Sequence, residues 1–286
     1  MLDGVMLLWF VLTAISVLFV AIDIRSTPES PVLKWGFVLL TAYTGPLGAF
    51  LYVLGCREPL PGLHERYVAV RWRQVLGSTM HCVAGDGVGI LAGAVIASFF
   101  HLSKVTDISL EYLLGFGFGW MIFQALFMRD MAGGSYRRSL TSTFFPELLS
   151  MNCLMAGMVP TMVLAKQYVP ASNTPTDPAF WFVMSMALLV GFIVAYPMNW
   201  WLVTNHMKHG MMTVRVSEQP ATTRAYEGKQ ENHAEHRDTE YSRPMNGATM
   251  HGNAEKVSRN KLAWMTMLSF LVFALGLAVA ATFSGV

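Results

Sequence analysis

Charged side chains are scarce in this sequence, 13% of 286 residues against 53% hydrophobic. A soluble domain carries about a quarter charged residues, so the deficit argues against a soluble fold and for a polytopic membrane protein. Lys and Arg outnumber Asp and Glu by only 20 to 18. That excess is too small for nucleic-acid binding, and no basic stretch interleaved with aromatics supports it. Cysteine is limited to Cys56, Cys82 and Cys153 without a Cys-x-x-Cys pair, so neither a disulfide framework nor a zinc knuckle is indicated. No Gly-x-x-x-x-Gly-Lys loop supports direct ATP use, and His64-Glu65 lacks a second His at the zincin offset. Only His81 lies well inside an apolar run, so a haem would need Met or another chain for its second ligand. No internal repeat or inverted symmetry is visible.

Apolar runs are what the sequence has instead. Seven reach the length that a hydrocarbon core of about 30 Å demands, at roughly 4–22, 34–55, 74–100, 108–128, 144–166, 179–204 and 262–284. The expected fold is therefore all-α, a polytopic transmembrane helical bundle of about seven spans. The first run lacks the basic leader of a cleaved signal peptide and reads as a retained helix. The polar tract 205–261 has too little apolar content for a core. This divides the chain into a six-span membrane core over 1–212, a linker over 213–258 and a last span within 259–286. Sixteen Lys and Arg follow the second, fourth and sixth runs, against four on the other side. The positive-inside rule then predicts a bacterial inner membrane protein with a cytoplasmic N-terminus and an outside C-terminus. Trp72, Trp181, Trp200, Trp201 and Trp264 fall near span ends, where an aromatic belt belongs.

Asp86 stands in the middle of the third run, where a carboxylate costs several kcal/mol unless it has a partner or a task. His81 and Cys82 precede it by about one turn. In the same run Gly85, Gly89 and Gly93 form a small-residue stripe, matched by Gly115 and Gly119 in the fourth, which predicts close helix packing. Along the fifth run Glu147, Met151, Met155, Met158 and Met162 recur at helical spacing and share one face. Thioethers favour Cu(I) over hard ions; equally, methionine fills irregular helix interfaces.

Counting residues inward from the cytoplasmic ends places His81, Cys82, Met151, Asn152, Cys153, Met198 and Asn199 at a similar depth, with Asp86 above and Glu147 at the entrance. Pro160 and Pro197 each free a carbonyl one turn earlier, at Ala156 and Ile193. Beyond the sixth run, His206 and His209 can face one way on a helix and, with Met211 or Met212, capture a metal. The alternative there is an interfacial cap, with Lys208 near headgroup phosphates. His233, His236, Met245, Met250 and His251 are scattered through the linker and read as solvated chain. Glu111, at the start of the fourth run, is expected to face headgroups.

Several strings together resemble a bacterial membrane family named domain of unknown function 4396. They are His81-Cys-Val-Ala-Gly-Asp-Gly-Val-Gly89, Gln124-Ala-Leu-Phe-Met-Arg-Asp-Met131, Gly133-Gly-Ser-Tyr136, Pro146-Glu-Leu-Leu-Ser-Met-Asn152, Tyr196-Pro-Met-Asn-Trp-Trp-Leu-Val203 and Lys208-His-Gly-Met211. The resemblance covers about 40–212 and implies a helical membrane fold without bringing an activity.

Three functional readings follow. The first is binding or transport of a soft transition metal, Cu(I) foremost, by His81, Cys82, Asp86, Glu147, Met151, Met155, Asn152, Asn199, His206 and His209. The second is a proton-coupled carrier of a small solute, with Asp86 and His81 as the relay. The third is a non-catalytic subunit or assembly factor that pairs with another membrane protein or a second copy. No catalytic pair can be placed in reach, so an enzyme is not expected. The expected partners are the lipid bilayer, a metal ion and a membrane protein, with no nucleic acid.

Overall fold

The computed structural model describes residues 2–100, 102–129, 134–211 and 257–283, and every regular element among them is helical. Such apolar segments become helices because lipid offers the backbone no other hydrogen-bond partner. Polar caps set their starts. Ser30 accepts from the Leu33 amide ahead of α2 (Pro31–Thr44), and Ser103 from Thr106 ahead of α6 (Lys104–Phe118). Ser135 caps α8 (Tyr136–Tyr168), and Asp177 caps α9 (Pro178–Thr204). The other elements are α1 (Leu2–Asp23), α3 (Pro46–Gly55), α4 (His64–Val68), α5 (Arg71–Phe100), α7 (Ala125–Arg129) and α10 (Arg259–Phe283). A π-helical turn, Gly119–Gln124, joins α6 to α7.

Among the described residues, six helices are long and apolar enough to cross a membrane: α1, α5, the continuous α6–α7, α8, α9 and α10. The pair α2 and α3 completes a bundle of about seven membrane-embedded units. The run 34–55 is not one span, however. At Gly45 the backbone turns to φ 60° and ψ −139°, and Pro46 starts a new helix running back. Pro46 has no amide to continue α2, and glycine alone adopts this backbone cheaply. The return is fixed at its end, where the Tyr52 hydroxyl donates to Asp23 Oδ2 at 2.7 Å and lies 3.0 Å from Thr27 Oγ1. Arg57 also closes a two-pronged ion pair on Asp23, at 2.9 and 3.0 Å. With ten residues, α3 rises about 15 Å, half of a bilayer core. The pair enters and leaves at one end of the bundle.

At the centre stands α5, against α2, α6, α8 and α9, with Val75 to Gly87 wholly buried. The expected glycine stripe is its contact with α6. A methyl group on Gly93 would stand 2.9 Å from the Glu111 Cα, one on Gly89 would overlap the Leu114 carbonyl, and one on Gly85 would stand 3.1 Å from the Gly119 Cα. Pro160 and Pro197 lie inside unbroken helices. Gly276 of α10 covers the Ala156 carbonyl, where a methyl group would come to 2.5 Å.

Candidate functional site

The central polar cluster is assembled by α5, α8, the π turn and the chain just after α9. On α5, Cys82 and Asp86 are four residues apart and share a face. From α8, Glu147 reaches the same space, with Ser150 and Met151 one turn on. The decisive side chain comes from outside any span. Beyond Thr204 the chain reverses at His206, which has φ 56°, and the Met207 and Lys208 amides return to the Leu202 carbonyl at 2.9 and 3.3 Å. This C-terminal closure turns Lys208 inward, 2% exposed. The segment is pinned to α5 by Gln74, whose amide donates to the Met211 carbonyl at 2.9 Å and to Val68 at 2.6 Å.

The Lys208 ammonium sits 2.9 Å from Glu147 Oε2, 2.6 Å from Cys82 Sγ and 3.2 Å from Asn199 Oδ1. Cys82 itself lies 3.3 Å from the same Glu147 oxygen. Asn199 is held in place by donating to Ser150 Oγ at 2.9 Å and to Ala195 O at 3.1 Å. Burial disfavours the Lys208 charge, but Cys82 and Glu147 outweigh that and hold the ammonium above its ordinary range.

Asp86 is fully buried, and among the described residues no donor reaches either carboxylate oxygen, nor Oε1 of Glu147. The two carboxyl groups lie within hydrogen-bonding reach of each other. Both crowd Gly119 of the π turn, where an added methyl group would overlap Asp86 Oδ1 and stand 3.1 Å from Glu147 Oε1. His81 packs its ring 4.6 Å from Phe127 and 5.7 Å from Phe123, has Gln124 in reach, and leaves Nε2 without a hydrogen-bond partner among the described residues. The site therefore sets two carboxyl groups against one ammonium. Both cannot be ionised in this low-dielectric space without a second cation; otherwise one of them holds a proton.

Of the residues expected to converge, His81, Cys82, Asp86, Glu147 and Asn199 do so, and Met151 borders them, its methyl 2.8 Å from where a Gly115 side chain would begin. Glu147 is no entrance residue; it is fully buried beneath Lys208. Met155, Met158 and Met162 continue the stripe as apolar core. Asn152 shares the depth but not the face. It accepts from the Tyr112 hydroxyl at 2.6 Å and donates to Ser269 of α10 at 3.1 Å.

His206 and His209 are not on a helix, because α9 has already ended. His206 is exposed, while His209 is half-buried and held below the ordinary imidazole range by burial and by the charge of His206. Met211 packs against Gly77 instead of joining a metal pair. Met212 and the linker residues His233, His236, Met245, Met250 and His251 lie outside the described residues.

Two features escaped the sequence reading. Lys208 was placed at the headgroups, although two carboxylates inside apolar runs already called for a buried cation, and it is the nearest lysine beyond the sixth run. Glu111 was likewise placed at the headgroups. It is buried, with neither oxygen bonded to a donor among the described residues and Asp107 within reach. Above it a cleft of about 420 Å³ opens at the end of α5 away from Lys208, lined by Lys104, Asp107, Met162, Lys166 and Phe180 among others.

Residues 71–208 match the family model described as Domain of unknown function (DUF4396). The match covers just under half of the chain, and that segment carries the resemblance to the family. The DUF4396 segment begins with α5 and ends on Lys208, so it contains every member of the cluster and leaves out α1–α4 and α10. No curated protein and no solved structure matches the chain.

Proposed function

We propose that this protein is a proton-coupled membrane carrier of a small solute, in which Asp86 and Glu147 share a transferable proton against the fixed charge of Lys208. One observation carries this reading: among the described residues, two buried carboxyl groups face a single ammonium, and no hydrogen-bond donor reaches Asp86. A proton between them removes the surplus charge, and its departure creates the unbalanced state that a coupled step needs. Glu111 and Asp107 offer a further pair of carboxyls on the same α5–α6 interface, two helical turns or about 12 Å from Gly119. They lead toward the cleft at Lys104 and Lys166, and His81 lies on the Lys208 side as a second proton acceptor.

The test needs no substrate. Infrared difference spectra recorded on changing pH are expected to show a protonated-carboxyl band that Asp86→Asn removes and Met151/Met155→Leu keeps. Proton uptake into proteoliposomes is expected to follow the same pattern. A band and uptake both unchanged in Asp86→Asn would end the proposal.

Cu(I) handling is the second reading, favoured by the Cys82 sulfur among the donor atoms around Lys208 Nζ, the others being the Glu147 and Asn199 oxygens. These already surround a cation, and Cu(I) would have to displace the lysine to use them with His81, Asp86 and Met151. Copper retained by the purified wild type and lost in Met151/Met155→Leu would decide for it.

The re-entrant pair bears on orientation. With six crossings, Leu2 and Phe283 face the same side. Of the fourteen described Lys and Arg, twelve belong to segments at the opposite side, and Lys104 and Lys166 share a side with the termini. Lys261 at the start of α10 bonds Asn205 at the end of α9, which fixes that helix's direction. Under the positive-inside rule, this reading puts both termini outside.

A further inference from the structure

The mouth of the α2–α3 pair holds a second set of buried polar side chains, which precedes the DUF4396 segment and is independent of the proton site. Glu29 comes from the turn before α2, Cys56 from the residue that ends α3, and His64 from the first turn of α4. Each is buried, at 4%, 0% and 0% exposure. Their ligand atoms, a carboxylate oxygen, a thiol sulfur and a ring nitrogen, all lie within 4.8 Å of one another. His64 Nε2 stands 3.7 Å from Glu29 Oε1 and 3.1 Å from the Cys56 carbonyl.

We propose that Glu29, Cys56 and His64 bind a divalent d-block cation, zinc foremost, that ties the mouth of the re-entrant pair to α4. Sulfur, nitrogen and oxygen donors together are the set that zinc accepts, whereas a carboxylate is a poor ligand for Cu(I). Zinc bonds of about 2.0–2.3 Å put ligand atoms about 3.3–3.8 Å apart, so the observed spread closes by roughly one ångström. Charge also fits. A thiolate and a carboxylate offset a 2+ ion, and a neutral imidazole adds none, so the loaded site buries no net charge. The frame is braced independently, by the Asp23 contacts of Tyr52 and Arg57 and by the Thr27–Tyr52 bond. Three protein ligands leave a fourth position for water or an incoming donor, and the four-coordinate preference of zinc is thereby met.

The experiment uses the full chain in detergent, stripped of metal and titrated with Zn²⁺ and, separately, with Co²⁺. One equivalent should bind, raise the melting temperature and, for Co²⁺, produce the thiolate charge-transfer band. Cys56→Ser should abolish that band and weaken Zn²⁺ binding at least about tenfold, and Glu29→Gln should weaken it while preserving the band. Cys82→Ser should change neither. Folded wild type that binds no Zn²⁺ would overturn the proposal. So would a band that survives Cys56→Ser or disappears in Cys82→Ser, since the metal would then sit elsewhere.

Discussion

At the scale of single residues, the Lys208–Glu147 pair is the most exposed to test. Breaking a buried ion pair from one side leaves an uncompensated charge and costs about 3–5 kcal/mol. Lys208→Met should therefore lower the melting temperature sharply, and Glu147→Gln combined with Lys208→Met should recover most of the loss. Thermal unfolding of the double-mutant cycle in detergent measures that coupling. Gly119 gives a sterically cleaner probe. Gly119→Ala drives a methyl into Asp86 Oδ1, and overpacking of this kind costs about 1–3 kcal/mol. Gly117→Ala meets nothing within 4 Å and should be neutral or slightly stabilising. Equal stability of the two variants would show that the carboxyl is not held against the π turn.

His209 supplies a pH dependence. Its imidazole is held below the ordinary value of 6.5 by burial and by His206. The unfolded chain therefore takes up a proton there before the folded chain does, and stability falls as pH drops below about 6.5. His209→Gln should flatten that part of the melting-temperature profile.

At the scale of elements, what the sequence reveals depends on what each signal measures. His81, Cys82, Asp86 and Glu147 were legible because charge and polarity inside an apolar run are costly, and their convergence needed only that α5 and α8 adjoin. Lys208 was not legible. Its depth is set by a backbone reversal at His206 and by Gln74 gripping Met211, two long-range facts absent from any local pattern. The α2–α3 pair was misread because hydropathy measures the length of a run and not its direction. Gly45-Pro46 was the available sign, a glycine free to turn followed by a residue with no amide. Asn152 was placed in the right layer but on the wrong face, since α10 arrives from the far end of the chain to bond it. The pair makes its own prediction. Cysteines introduced at Ser26 and Leu60, with all three native cysteines buried, should react with an impermeant maleimide from the same side of the membrane. Labelling from opposite sides would restore a full crossing.

At the scale of the whole molecule, the DUF4396 segment forms a packed centre while α1 and α10 present mostly lipid-facing surface. α10 is held on α8 by the Asn152–Ser269 bond and by the close approach of Gly276 to Ala156. Gly276→Leu should detach the helix, readable as faster proteolysis near residue 259, and leave the carboxyl band of the central site in place.

The folded-back pair also constrains how the chain is made. Insertion machinery reads hydrophobicity as each segment emerges, and residues 34–55 present it with a run long enough to be threaded across. Left in that state, every later helix would be inverted. The Asp23–Arg57 clasp at the mouth, which a threaded run would separate, favours retraction. Because the pair packs against α5 in the finished bundle, its final topology is expected to set only after the third hydrophobic segment has been synthesised.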